Sequence, residues 1–425
     1  MVSKAMFIDG IRTPFQLPHT GYANMTGAAL LSAAIRRLLS RVKIDKLEIN
    51  HMVVGNVFHE IKSPNIGAVS AVASGINVPS HSLSMACISG QAALAKGIEM
   101  INSDYAEVVL VGGVEYLSDL PVLVNEKVRK TFIKCKNPDL TRRQKLALLS
   151  KIRPRDAAPD FLKVVEFQTK ETFVHNGDKI AARFGISRWD QDEYGYRSHR
   201  LSKKAAVEEK FPFICAVQHS KTNETVSTDG TLRRWTREKM SKRRPVLRGG
   251  SVTIATANQP CDGAAVCLLA SERAAQRLNM SPRAELSPVL FAACSPKTDL
   301  LMGTTHSLAR LKLEKGVDLE KADVLEFYEG FGGEVLSQLS ALSSTKYAQD
   351  VFSQDTCIAD LDIDKLNLWG GTIGLGHPFG ATGIRLLLHT VGRLEEEDGE
   401  LGVVAGCAGG GQGAAFTVTR IRLGG

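Results

Sequence analysis

What most narrows the fold of this chain is a repeat. The segments "SMACISGQAALAKGIEMI" (84–101) and "GHPFGATGIRLLLHTVGRL" (376–394) each open a helix after a strand-like run. "VVLVGG" (108–113) and "GVVAGCAGG" (402–410) each end an apolar run in glycines. A continuous apolar run of this length reads as a strand covered on both faces. Two such strand–helix units, far apart in the chain, indicate an internal duplication of an α/β half. Residues 5–120 spell out the first half: "AMFIDG" as strand, "GAALLSAAIRRLL" as helix, "HMVVGNVF" as strand, "NIGAVSAVASG" as helix. Residues 286–425 repeat the grammar, with "LEFYEGF" ending a strand and "EVLSQLSALSS" a helix.

Between the halves lies a basic, loop-rich insertion, roughly 120–250. It holds helices at "DKIAARFG" and at "SRWDQDEYGYRSHRLSKKAAVEE", the second capped by Ser187. The expected domains are 1–119, the first part of the N-terminal half, and 120–250, the loop domain. They are followed by 251–285, which closes the N-terminal half, and 286–425, the C-terminal half. The 38 glycines and 6% aromatics suit an α/β chain with many tight turns, and a length of 425 residues allows two or three domains. No apolar run approaches the roughly 18 residues of a membrane span. The N-terminus reads as neither a signal peptide nor an Arg/Ser-rich transit peptide.

The eight cysteines are scattered, with no C-x-x-C pair and none at metal-ligand spacing from a histidine. A reducing compartment and no metal site are the expectations. Charge is uneven. Residues 126–156 carry eleven Lys/Arg against three acids, a surplus equal to the whole net charge of +8. Such a run reads as a solvated face, but Leu146, Leu149 and Ile152 interleave at helical spacing. That pattern also fits an anionic membrane surface or a grip on a phosphorylated ligand. Nucleic acid is not expected, since no recognition fold accompanies the charge.

Three reactive side chains fall at equivalent strand ends, where open α/β folds place ligands. Cys87 opens a helix in the first half, His377 opens the matching helix in the second, and Cys407 sits in a glycine turn. A helix N-terminus lowers a thiol pKa, yet a free cysteine is as often a small buried hydrophobe. Each residue alone has a purely structural reading. Their coincidence at matching positions does not.

With "SMACISG", "GHPFGATG" and "CAGGG" in this order, the chain resembles the thiolases, which cleave or form 3-ketoacyl-CoA. It especially resembles the β-subunit branch of the mitochondrial trifunctional protein, through "IDGIRTPF", "GGVEYLSD", "QDEYGYRSH" and "WGGTIGLGHPFGATG". The resemblance implies a thiolase fold, two duplicated βαβαβαββ halves in a layered α/β/α/β/α core with an inserted loop domain. It implies an acetyl-CoA C-acyltransferase of fatty-acid β-oxidation with Cys87 as nucleophile, His377 as its base and Cys407 as the second acid–base. Tyr328, Glu329 and the Gly409 N–H would assist at the oxyanions, and His175, Asn258 and Phe331 would contact substrate. No cofactor is implied, coenzyme A being a substrate. The implied partners are acyl-CoA and CoA, a second or further copies of the chain as dimer or tetramer, a hydratase/dehydrogenase α-subunit, and a membrane surface along 126–156. The implied compartment is mitochondrial, or cytoplasmic for a bacterial source. Acetoacetyl-CoA thiolase and a weakly active acyl-CoA or lipid binder are the rival readings.

The sequence departs from the family's pattern in places. Tyr328-Glu329-Gly330-Phe331 stands where the resemblance leads one to expect Asn- or His-Glu-Ala-Phe. A tyrosine hydroxyl there donates directly, displaces a bound water, or turns away into packing. Thr172-Phe173-Val174-His175 and Asn258-Gln259-Pro260 replace Thr-Met-Gly-His and an Asn-Ser step, which bears on CoA contacts and chain length.

Overall fold

The computed structural model describes residues 3–121, 123–160, 165–219 and 222–422. The outer ends of the expected domain ranges, 1–2 and 423–425, lie outside them. In the first half β1 (Ala5–Arg12), α1 (Gly27–Val42), β2 (His51–Gly55), α2 (Ile66–Ala73), β3 (Ser80–Leu83), α3 (Ser89–Asn102) and β4 (Val108–Glu115) follow one another. The insertion contributes α4 (Glu126–Cys135), α5 (Arg142–Leu149), α6 (Phe173–Arg183) and α7 (Arg188–Val207). Then come β5 (Gly263–Ser271), β6 (Ala284–Leu286), β7 (Leu290–Ala293), α8 (Gly303–Lys315) and β8 (Val324–Phe327). The chain closes with α9 (Gly332–Ser343), α10 (Thr382–Glu396), β9 (Leu401–Ala408) and β10 (Gln412–Arg420).

The duplication is visible in the pairing. In the first half β2 runs parallel to β4, which is antiparallel to β5, which is antiparallel to β1. In the second half β8 is parallel to β9, β9 antiparallel to β10, and β10 antiparallel to β6 and β7. The two five-stranded halves are continuous, because β1 also pairs with β6 through Ala5↔Leu286 and Phe7↔Ala284.

Alternation along the strands builds the layers, since successive side chains leave opposite faces of a sheet. Phe7, Val109, Val111, Cys267 and Leu269 enter one core together with Val404, Phe416 and Val418 of the other half. Leu94 and Ile98 of α3 and Ile384, Leu387 and Val391 of α10 fill that same core. The intervening residues Met6, Ile8, Val108 and Leu110 face outward onto Leu30, Leu31, Ile35 and Leu38 of α1. Val403, Ala405 and Phe327 face outward onto Leu308 and Leu311 of α8 and Val335 of α9. The result is helix, sheet, helix, sheet, helix. As the middle-layer helix between two sheets, α10 is buried at every position from Thr382 to Leu394.

Local signals set the helix starts. Thr26 caps α1 by accepting from the Ala29 N–H at 3.1 Å, and Ser187 forms a capping box with Asp190 at the head of α7.

The chain divides into two compact units, residues 119–165 and the remainder, so residues 166–250 of the expected loop domain group with the larger unit. In the smaller unit α4 and α5 carry the basic run. Thr141 and Gln144 form a capping box for α5, and Lys127 pairs with Asp156 at 2.5 Å. The helix α5 stops at Leu149, so Ile152 lies beyond it and the apolar stripe read from the sequence is shorter than its spacing implied. Phe132, Ile133 and Leu146 are exposed at 56%, 62% and 66%.

Candidate active site

The first sulfur is presented by a tight turn. After β3 the backbone reaches Ala86, whose φ of +47° is the left-handed conformation that most side chains avoid. Ser89 holds this bend: its Oγ accepts from the Met85 N–H at 2.8 Å and donates to the Ala86 carbonyl at 2.7 Å. Cys87 therefore sits at the tip, two residues ahead of α3, and is half-buried. The helix field expected to lower its thiol pKa does not prevail. Burial and the nearby Glu334 charge push it up to about 11, against the pull of the Tyr328 hydroxyl, the Gly409 N–H and the Cys87 N–H. The resting residue is a thiol.

The second sulfur lies on β9. Cys407 is 1% exposed and pairs across the hairpin with Gly413. The turn that follows, Gly409-Gly410-Gly411, needs φ of +81° at Gly410 and +68° at Gly411, which glycine alone adopts freely. That turn brings the Gly409 N–H to Cys87.

His377 is held by the strand of backbone that departs from the family pattern. Its N–H donates to the Gln259 carbonyl at 2.7 Å, and its carbonyl accepts from the Cys261 N–H at 3.3 Å. Nδ1 lies 2.8 Å from the Thr382 hydroxyl, while Nε2 is buried without a hydrogen-bond partner among the described residues. With Nδ1–H donating to Thr382, Nε2 carries the lone pair of a base. Burial and the Arg385 charge push the imidazole pKa down to about 3, so the ring is neutral at physiological pH.

Tyr328 joins these parts. It does not turn away into packing. Its hydroxyl accepts from the Asn258 amide at 2.9 Å and faces Cys87, whose thiolate it favours, and its ring centroid lies 4.9 Å from that of His377. Asn258 is fixed in turn by donating to the Glu329 carbonyl at 3.0 Å. The carboxylate of Glu329 is engaged by four donors: Tyr194 at 2.9 Å, Ser198 at 2.8 Å, Asn367 at 2.7 Å and the Ile373 N–H at 3.0 Å. It ties α7 and the turn before His377 to the end of β8. Phe331 is buried, bridged to Ala257, with its ring against Gly177 of α6. His175 stands apart from this cluster: it is exposed on α6, 3.5 Å from Glu171.

Sequence reasoning missed one residue. Glu334 of α9 is fully buried, and its Oε1 accepts from the Cys407 thiol at 2.9 Å and from the Gln338 amide at 3.1 Å. The available signal was an acid and an amide at i, i+4, Glu334 and Gln338, on a helix that carries no other charged or amide residue. Among the described residues no cluster of His, Cys, Asp or Glu is arranged to hold a metal ion, and no helix is long and apolar enough to cross a membrane.

Residues 5–273 match the description "Thiolase, N-terminal domain" and residues 280–420 "Thiolase, C-terminal domain". The mitochondrial trifunctional enzyme subunit beta of Homo sapiens is 35% identical over 421 residues, 98% of this chain and 88% of that protein. A probable 3-ketoacyl-CoA thiolase of Caenorhabditis elegans is 35% identical over 419 residues, covering 97% of this chain and 93% of its own. The crystal structure of human mitochondrial 3-ketoacyl-CoA thiolase superposes with a TM-score of 0.83 at 25% identity over 99% of each chain.

Proposed function

The chain belongs to the thiolase family, and on that premise we propose that it is a 3-ketoacyl-CoA thiolase of fatty-acid β-oxidation working through an acyl-cysteine. The observation that carries the reading is Tyr328 in contact with both Cys87 and His377, beside the buried Cys407.

The resting protonation states set the order of events. A thiol near 11 and an imidazole near 3 do not exchange a proton spontaneously. Proton transfer therefore accompanies attack: Cys87 adds to the 3-keto carbon as His377 Nε2 takes its proton. The Cα–Cβ bond then breaks, and Cys407 protonates the acetyl-CoA enolate. The acyl group on Cys87 passes to a second CoA, whose thiol proton returns through Cys407. The N–H groups of Gly409 and Cys87 and the Tyr328 hydroxyl supply donors where oxygen charge develops. The reaction uses CoA as substrate and calls for no further cofactor.

Acyl-CoA and CoA are thus the small-molecule partners. Because the beta subunits of trifunctional enzymes are among its relatives, the reading extends to an α-subunit partner, a homo-oligomer and a mitochondrial location, or a cytoplasmic one for a bacterial source.

Thiolysis of 3-ketohexadecanoyl-CoA beside acetoacetyl-CoA, with wild type and Cys87→Ala, tests the proposal. The expected result is turnover of the long chain that falls by about a thousandfold or more in the variant. Turnover of acetoacetyl-CoA alone would replace the reading with a short-chain thiolase. Acyl-CoA binding without turnover would make the protein a binder.

A further inference from the structure

The mechanism above leaves a buried acid unused. Glu334 has no exposed surface, and each polar contact of its carboxylate is a donor: Cys407 Sγ and Gln338 Nε2 on Oε1, and the Phe331 N–H on Oε2 at 3.1 Å. The Gln338 amide is itself anchored on the Leu301 carbonyl at 2.7 Å, which fixes the direction from which it meets the carboxylate. Space is made for the acid at the altered family motif, because a Cβ on Gly330 would overlap Glu334 Oε2. Gly330 and Glu334 fit each other. A buried carboxyl with no cationic partner among the described residues is costly to ionise, and burial pushes its pKa up to about 7. Two acids in hydrogen-bond contact, one of them a reacting thiol, titrate as a coupled pair between which a proton can pass.

Resting on the thiolase reading, we propose that Glu334 is the proton-exchange partner of Cys407, a positioning residue that returns and removes the sulfur's proton between the two halves of the reaction. Cleavage of Cα–Cβ leaves its electron pair on the acetyl-CoA enolate. The Cys407 S–H bond breaks as the new C–H bond forms. The Glu334 carboxylic acid then passes its proton to the sulfur and becomes a carboxylate. In the second half the CoA thiol gives its proton to Cys407 as the Cys407 proton moves to Glu334. The CoA sulfur bonds to the acyl carbon, and the departing Cys87 sulfur recovers the proton held by His377. Every group ends as it began.

The titratable groups facing Glu334 are Cys407 from β9, Tyr328 and Glu329 from the end of β8, and Cys87 from the turn before α3. Burial raises the Glu334 pKa most, the Cys407 thiol, the Phe331 N–H and the Gln338 amide pull it down as donors, and the Glu329 charge adds to the rise. The free enzyme needs the carboxylic acid, and wild-type kcat/KM is expected to fall as pH rises through about 7. Glu334→Gln keeps the shape but cannot titrate. Its expected signature is loss of that limb, with kcat down by about tenfold or more at pH 6.5 and KM within about twofold.

A second readout does not depend on turnover or on the Gln variant. The infrared band of buried carboxylic acids is titrated in wild type and in Cys407→Ala. Glu115 and Glu326 also carry raised pKa values, near 8 and 7, and neither has Cys407 as a hydrogen-bond partner, so the difference between the two titrations isolates Glu334. Loss of the thiol donor is expected to raise the midpoint of that one component. A pH limb retained in Glu334→Gln, or a band indifferent to Cys407→Ala, overturns the proposal while thiolysis itself stands. A responsive band in a protein that does not turn over substrate would sink the thiolase reading and leave the shared proton in place.

Discussion

At the residue scale, the site is governed by desolvation. A cysteine ahead of a helix reads as an activated thiol, but Cys87 is packed so that burial outweighs the nearby N–H groups. The Tyr328 hydroxyl is then the side-chain donor that favours the thiolate. Tyr328→Phe is expected to slow iodoacetamide alkylation of Cys87 at fixed pH and to lower kcat by about tenfold or more. An unchanged alkylation rate would mean the hydroxyl does not act on the sulfur. Cys87 and His377 were legible as candidates because each stands in a turn beside small residues and glycines, and Cys407 because a glycine turn follows it, although the structure places it on β9 rather than in that turn. Glu334 was not, because nothing in "GGEVLSQ" says which face of the helix meets Cys407. The departure at Tyr328 was visible, but its direction depended on Asn258, seventy positions away.

At the scale of elements, the site exists because loops of the two halves meet at glycines. A Cβ on Gly113 at the end of β4 would overlap the Gly380 carbonyl, and one on Gly90 of α3 would lie 2.6 Å from it. Gly380 belongs to the loop that carries His377, so the first half's strand ends set where the second half's histidine stands. Gly113→Ala is expected to destabilise the protein by about 1–3 kcal/mol, as overpacking does, and to cut activity more than stability. A melting temperature and kcat equal to wild type would show that the loop has room to move. The strands and helices themselves were readable. The expected helix over "GAALLSAAIRRLL" is α1, and Ser187 caps α7 as its position implied. The end of α5 was not, because an apolar spacing of three carries on past Leu149 while the hydrogen-bonded helix does not.

At the scale of the whole molecule, the charge is concentrated in one compact unit, residues 119–165. Exposed Phe132, Ile133 and Leu146 lie among its cations, a composition that favours anionic surfaces. The protein is expected to float with vesicles containing anionic lipid and to be released by salt. A variant combining Arg142→Glu, Arg143→Glu and Lys145→Glu is expected to lose that flotation. Equal binding to neutral vesicles, or none to either kind, would end the membrane reading and leave a docked protein partner for this unit.

By itself the sequence determined the duplicated α/β architecture, since alternation and apolar runs dictate which faces of each strand are buried. It also placed three candidate reactive residues, Cys87, His377 and Cys407, at matching positions, and the resemblance to the thiolases supplied their expected roles. Only the tertiary structure decided how those residues are protonated and what they touch. The approach of Tyr328 to Cys87, and the hydrogen bond of Cys407 to Glu334, join separate elements. Burial there sets the acidity of each group, and burial is a property of the assembled layers, not of any segment that forms them.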